Sequence, residues 1–202
     1  MTMALRRMAP PVPARDAAPS RALQFANFVV FQLAWFACVL GGAHGMSLWG
    51  TACVAGAIGW HLAVSTRPDD EARLLGCVLA IGAAFETAML ATGSVQYPPQ
   101  GQPVAALPPY WLVAMWGLLA IALNVTMRWL KPRLLLAALL GAVAGPMSFA
   151  AGVRLGAATV VQPQTAYPLL AFAWALLLPA LLALARRFDG VSRISGVARP
   201  AP

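Results

Sequence analysis

The chain has 202 residues, of which 60% are hydrophobic and 10% charged. Soluble domains carry about 25% charged residues and need them to cover their surface, so with a mean hydropathy of +0.73 the composition all but excludes a soluble globular domain. The 3 cysteines exclude a disulfide scaffold, and the net charge of +8 points to nucleic acid or to membrane topology, depending on where the charges fall.

Residues 1–23 are rich in Pro, Ala and Arg, with Arg6, Arg7, Arg15 and Arg21, and read as a flexible basic tail. The apolar run that follows is longer than a signal-peptide core and contains Asn27 and Gln32, which argues against cleavage. A spanning helix needs about 20 apolar residues. Six such segments are expected, at 24–43, 47–64, 73–93, 109–130, 133–157 and 166–185, followed by a second basic tail at 186–202. Gly41, Gly42 and Gly45 mark the first turn, and Arg67-Pro68 with Asp69-Asp70-Glu71 the second. The proline-rich run from Tyr97 to Pro103 marks the third, Lys131-Pro132-Arg133 the fourth, and Gln162-Pro163-Gln164 the fifth. The expected fold is therefore an all-α, polytopic membrane bundle.

The basic residues divide by side. The N-tail, the second and fourth loops and the C-tail hold 13 of them, and the first, third and fifth loops hold none. The positive-inside rule then places both termini in the cytoplasm. Tyr97, Tyr110 and Tyr167 fall on the outer side, with Trp49 and Trp111 at the outer interface and Trp60 and Trp129 at the inner one, as in an aromatic belt. Topology accounts for the positive charge, so no nucleic-acid partner is expected. Membrane lipid is the expected surrounding and partner.

Ionisable residues inside a membrane are costly and mark candidate sites. Glu86 lies in the outer half of the third span, on a face shared with Gly82, Leu90 and Gly93. It reads as a proton-binding or acid–base carboxylate, or more plainly as a structural acid bonded to a neighbouring helix. Arg154 lies near the outer end of the fifth span at a depth that allows a pair with Glu86. It points away from the small-residue seam of Gly141, Gly145, Ser148, Gly152 and Gly156, and snorkelling to lipid phosphate is the alternative. That seam could pack within one chain or join a homo-oligomer or membrane partner.

A second polar group, Asn27, Gln32, His61 and Asn124, gathers toward the cytoplasmic side. Such residues usually bond across helices, and the sharper reading is a polar cavity. Asn124 and Arg128, four apart, could hold an anionic group. His44 sits in the outer turn, where a lone histidine is more often an interface residue than a base. No His or Cys spacing suggests a metal site, and no nucleotide or nucleophile-elbow motif implies a cofactor or hydrolase. Cys38, Cys53 and Cys77 read as small apolar residues. Pro146 and Pro179 interrupt spans, where they permit a kink or hinge.

Several stretches together resemble a known family. The first span reads Asn27-Phe-Val-Val-Phe-Gln32-Leu-Ala-Trp35-Phe36, and the fourth ends Leu123-Asn124-Val-Thr-Met-Arg128-Trp129-Leu130. The fifth carries Gly145-Pro146-Met-Ser148 and Gly152-Val-Arg154-Leu155-Gly156-Ala157, and the sixth Trp174-Ala-Leu-Leu-Leu-Pro179. Over about residues 25–185 this resembles the small bacterial inner-membrane family catalogued as domain of unknown function 2878. The resemblance implies a compact helical membrane protein with no established activity. It implies an acidic residue, often Asp, where this chain has Glu86, and Asn-His-Ser where it has Asn124-Val125-Thr126, so the histidine of that pattern is missing here. It places Arg154 inside a shared pattern. It also implies gene neighbours resembling fatty-acyl methyltransferases and flavin amine oxidases, and hence membrane-lipid modification or membrane stress.

The expectation is an inner-membrane protein with six spans, acting as an accessory component in lipid modification or stress. A small proton-coupled transporter or permease subunit is the first alternative. The second is a membrane enzyme using Glu86, Arg154 and His44 on a lipid. A polar cavity reaching Glu86 would favour transport or catalysis; a packed, satisfied Glu86 would favour the accessory role.

Overall fold

The structure, a computed structural model, describes residues 18–191. Six helices carry the fold: α1 (Arg21–Ala43), α2 (Ser47–Val64), α3 (Pro68–Ala91), α4 (Tyr110–Leu123), α5 (Leu134–Arg154) and α6 (Pro163–Arg187). Five are long and apolar enough to cross a membrane; α4 is the shorter one. Phe25, Leu33, Trp49, Leu135, Val143 and Phe172 are among the large apolar side chains exposed on the outside of the bundle. Such an apolar exterior suits a hydrocarbon solvent.

Local chemistry sets the helix ends. Ser20 caps α1, its Oγ accepting from the Leu23 amide at 3.2 Å. Pro68 opens α3 where no amide partner is needed, and Asp69, Asp70 and Glu71 in the first turn complement the positive end of the dipole. Gly45 turns α1 into α2 at φ 74°, a conformation that a side chain would strain. The largest departure from the expected spans is the fourth. Its helix stops at Leu123, and a turn leads into a single 3-10 turn at Arg128–Leu130. The expected tail at 1–23 lies mostly outside the described residues, but Arg21–Leu23 is already helical. Of the expected tail at 186–202, Arg186 and Arg187 belong to α6, 188–191 fold back on the bundle, and 192–202 lie outside the described residues.

Helix α4 is the centre. From Trp116 to Val125 every residue is buried, because α1, α2 and α3 all pack on it. Helices α5 and α6 pair chiefly with each other. This pair meets the rest through a core joining Leu74, Val78, Leu123, Leu181 and Leu182. It also meets it through a two-stranded antiparallel pairing of β1 (Val95–Gln96) with β2 (Thr159–Val160), in the register Val95 to Val160. The end of the bundle with these strands is called the β end below, and the end with Arg67, Lys131 and Arg187 the basic end.

Glycine permits two close approaches. A Cβ on Gly82 of α3 would lie 2.2 Å from Trp116 Cγ, and one on Gly145 of α5 would lie 2.3 Å from Trp174 Cγ. The two indoles stack at 5.3 Å between ring centres, 16° apart. A Cβ on Gly76, also in α3, would meet nothing within 4 Å. Gly82→Ala is therefore expected to destabilise by about 1–3 kcal/mol through overpacking, while Gly76→Ala is neutral or slightly stabilising. Thermal unfolding of the two variants in detergent tests this, and equal midpoints would count against the packing described.

Candidate functional site

Two polar constellations lie inside the bundle, one near each end. At the basic end the hub is Glu71, 3% exposed. Its Oε2 accepts from His61 Nε2 at 2.8 Å, and its Oε1 from Asn124 Nδ2 at 2.6 Å and the Gly190 amide at 2.7 Å. The Asn124 amide also donates to the Phe188 carbonyl, and its oxygen accepts from Lys131 Nζ at 2.5 Å. Lys131 further donates to the Ala185 carbonyl at 3.1 Å and to Asp189 Oδ2 at 2.8 Å. Burial pushes the Lys131 ammonium below its ordinary range, opposed by its hydrogen bond to Asp189. Arg128 donates to the same Asp189 oxygen at 2.6 Å. Thr66 and the Arg67 amide hold the Gly190 carbonyl, and the Arg67 guanidinium reaches the Asp189 carbonyl. Residues 188–191 are thus clamped beneath α3 and α4.

The expected polar group is brought together only in part. His61 and Asn124 meet on Glu71. Asn27 instead bonds the Ile121 carbonyl of α4 at 3.1 Å and accepts from Thr126. Among the described residues the half-buried Gln32 side chain has no hydrogen-bond partner. The helical face expected to carry Asn124 and Arg128 does not exist, because α4 ends at Leu123. An anion is nevertheless gripped there, and it is the chain's own Asp189.

Toward the β end, Glu86 of α3 is 8% exposed and lies five residues, about 8 Å, before the end of its helix. Trp116 Nε1 donates to Oε1 at 3.0 Å and the Tyr97 hydroxyl to Oε2 at 3.3 Å. Arg154 is exposed in the last turn of α5, so the indole and the phenol occupy the place expected for a Glu86–Arg154 pair. Burial, the Glu86 charge and the hydrogen bond to it push the Tyr97 phenol well above its ordinary range. It therefore stays a donor. His44 caps α1, its ring Nδ1 donating to the Leu40 carbonyl at 2.9 Å.

Glu86 also lines a cavity of about 300 Å³, at the small end of ligand sites. Helices α1 and α5 are not a packed pair, and the cavity runs between them, bounded by Phe31, Trp35, Met115, Ser148 and Trp174. It extends from Tyr97 and Ala157 at the β end to Met127 and Leu178. Ala144 and Ser148 are wall residues that are exposed on the bundle's flank, so it opens sideways. Glu86 and Tyr97 are its ionisable wall residues, and Lys, Arg and His are absent from its described wall. Of the expected small-residue seam, Gly141 and Gly145 are packed on Trp174 within the chain. Gly141, Gly145, Ser148 and Gly152 also face the cavity, and Gly156, at φ 84°, ends the α5 turn. Among the described residues no three His, Cys, Asp or Glu are grouped to hold a metal ion.

The family model described as "Protein of unknown function (DUF2878)" matches residues 24–180. The chain belongs to that family. Comparisons with curated proteins and with solved structures gave no match. The DUF2878 region holds the whole Glu86 cavity, as well as Glu71, Asn124 and Lys131 of the basic-end cluster, whereas Asp189 and Gly190 lie beyond the matched residues.

Sequence reasoning passed over Glu71, Lys131 and Asp189, which lie among loop and tail charges, and did not single out Trp116. The spacing of Glu71 from the start of α3 carried no cue to its burial. If the clamp is as described, Glu71→Ala removes the acceptor shared by His61, Asn124 and the Gly190 amide and is expected to destabilise by about 3–5 kcal/mol, with Glu71→Gln milder because it keeps an acceptor. Thermal midpoints in detergent check the order, and an unaltered Glu71→Ala midpoint would contradict the clamp.

Proposed function

We propose that this DUF2878 member is a lipid-phase binding protein that holds one long apolar chain in the cavity between α1 and α5. The observation that carries this reading is the cavity itself: elongated, aromatic-walled, open on the flank of a bundle whose exterior is apolar, and reaching a buried carboxylate. An occupant can enter from the membrane without crossing water. Burial of its methylenes supplies about 0.8 kcal/mol each relative to water; against lipid, the gain comes from packing and from the polar contact. Positive-inside charge supports a cytoplasmic basic end and an outward β end in an inner membrane, with six crossings if α4 counts as one.

The cavity reaches Glu86 but is apolar, so it matches neither the polar cavity expected of transport or catalysis nor a fully packed carboxylate; we read it as an accessory role in lipid modification or membrane stress, holding a lipid for another component to act on. Of the alternatives, proton-coupled transport is favoured by one observation, that Glu86 is held by two neutral donors rather than by a cation. The enzyme reading has less support, since His44 and Arg154 are both exposed and neither bonds Glu86.

Ser148 is exposed and lines the opening, so Ser148→Phe is expected to obstruct the cavity and leave the fold intact. Native mass spectrometry from detergent is expected to show one retained lipid per wild-type chain, and at least tenfold less retention in Ser148→Phe. Equal retention in both would remove the basis for the reading.

A further inference from the structure

Each carboxylate oxygen can accept two hydrogen bonds. Glu86 receives one bond on each oxygen from protein, so each retains an acceptor position at the cavity wall. A plain hydrocarbon in the cavity would leave those positions unpaired in a dry site, which is costly. An anionic group would meet a carboxylate with no lysine, arginine or histidine on the described wall to offset the repulsion. A group that donates a hydrogen bond without carrying negative charge satisfies both constraints.

Depth narrows the class further. Glu86 lies about 8 Å inside the β end of α3, which is below the phosphate level of a bilayer whose polar boundary falls at the end of that helix. The donor must therefore sit on or next to the chain, at the start of the apolar part. Tyr97 stands at the β-end mouth and Trp116 behind the carboxylate. The remaining wall is aromatic and aliphatic apart from Ser148 and the Trp111 indole N–H, which has no hydrogen-bond partner among the described residues.

Resting on the cavity reading above, we infer that the ligand is an amphiphile bearing a neutral hydroxyl at the head of its long chain, and that Glu86 selects it by accepting that hydroxyl's hydrogen bond. Trp35, Trp111, Trp116 and Trp174 line the cavity, so a brominated chain inside it quenches indole fluorescence by contact.

The test titrates the full-length protein in detergent micelles with three probes: 9,10-dibromo-octadecanol, 9,10-dibromo-octadecane, and 9,10-dibromostearate at pH 9. The alcohol is expected to reach half-quenching at a mole fraction at least tenfold below the other two. That advantage is expected to vanish in Glu86→Leu. It is expected to persist in Tyr97→Phe, which keeps the carboxylate and removes a competing donor. Near-UV circular dichroism of the tryptophans checks that each variant is folded, and the wild-type comparison stands even if Glu86→Leu is not. Three probes of equal potency in the wild type, all blocked by Ser148→Phe, would overturn the hydroxyl selection and leave the cavity reading standing. Loss of the preference in Tyr97→Phe would overturn the role of Glu86 by moving recognition to the phenol. Quenching that is equal in wild type and Ser148→Phe would overturn both readings.

Discussion

Four stretches of chain end on the carboxylate of Glu71: its own helix α3, α2 through His61, the end of α4 through Asn124, and the segment after α6 through the Gly190 amide. In a bilayer there is no water to take over a lost partner, so each polar group must be satisfied from within. Glu71 and Lys131 meet this by bonding the same Asn124, one through its amide nitrogen and the other through its oxygen. Asp189 then pairs with Lys131 and Arg128 through the same carboxylate oxygen. The fold depends on this arrangement because α4 ends early. Its exposed terminus is closed by side chains and by 188–191 instead of by further helix.

The two polar constellations differ in a way that bears on function. The basic-end cluster turns most of its donors and acceptors on one another, with three donors on Glu71, and is drawn tight around the chain itself. Glu86 keeps spare capacity and faces a cavity. A closed network rigidifies, whereas an open acceptor in an apolar wall is the kind of polar group that orients a ligand in a largely greasy site. The same residue type thus serves structure at one end and recognition at the other, and what separates the two is the number of partners each carboxylate has found.

Much of the fold was legible in the sequence. Runs of about 20 apolar residues, punctuated by Gly, Pro and charge, located the helices to within a few residues, and α2 at its full extent. The fourth span was misjudged at its end because Asn124 to Leu130 remains apolar enough to continue a helix by composition. The β pairing was invisible, since two residues on each side leave no alternation to detect. Of the sites, Glu86 stood out as a charge among apolar residues, and its pairing with an indole did not. Tryptophan reads as apolar surface, and its single N–H gives no periodic signal. Asp189 was hidden for a similar reason: in a basic tail an isolated acid reads as solvated surface, and only the fold brings it under Lys131.

The shortness of α4 also bears on how the chain is assembled. At 14 residues it reaches about 21 Å, short of a hydrocarbon layer of about 30 Å. By itself it would leave an end of unpaired carbonyls in lipid. The three preceding helices that wrap it are made first during synthesis, whereas the lysine and aspartate that close its end come later in the chain. Helix α4 must therefore wait, shielded by α1, α2 and α3, until the α5–α6 hairpin has been made and its far end can fold underneath. The central helix is the last to become secure.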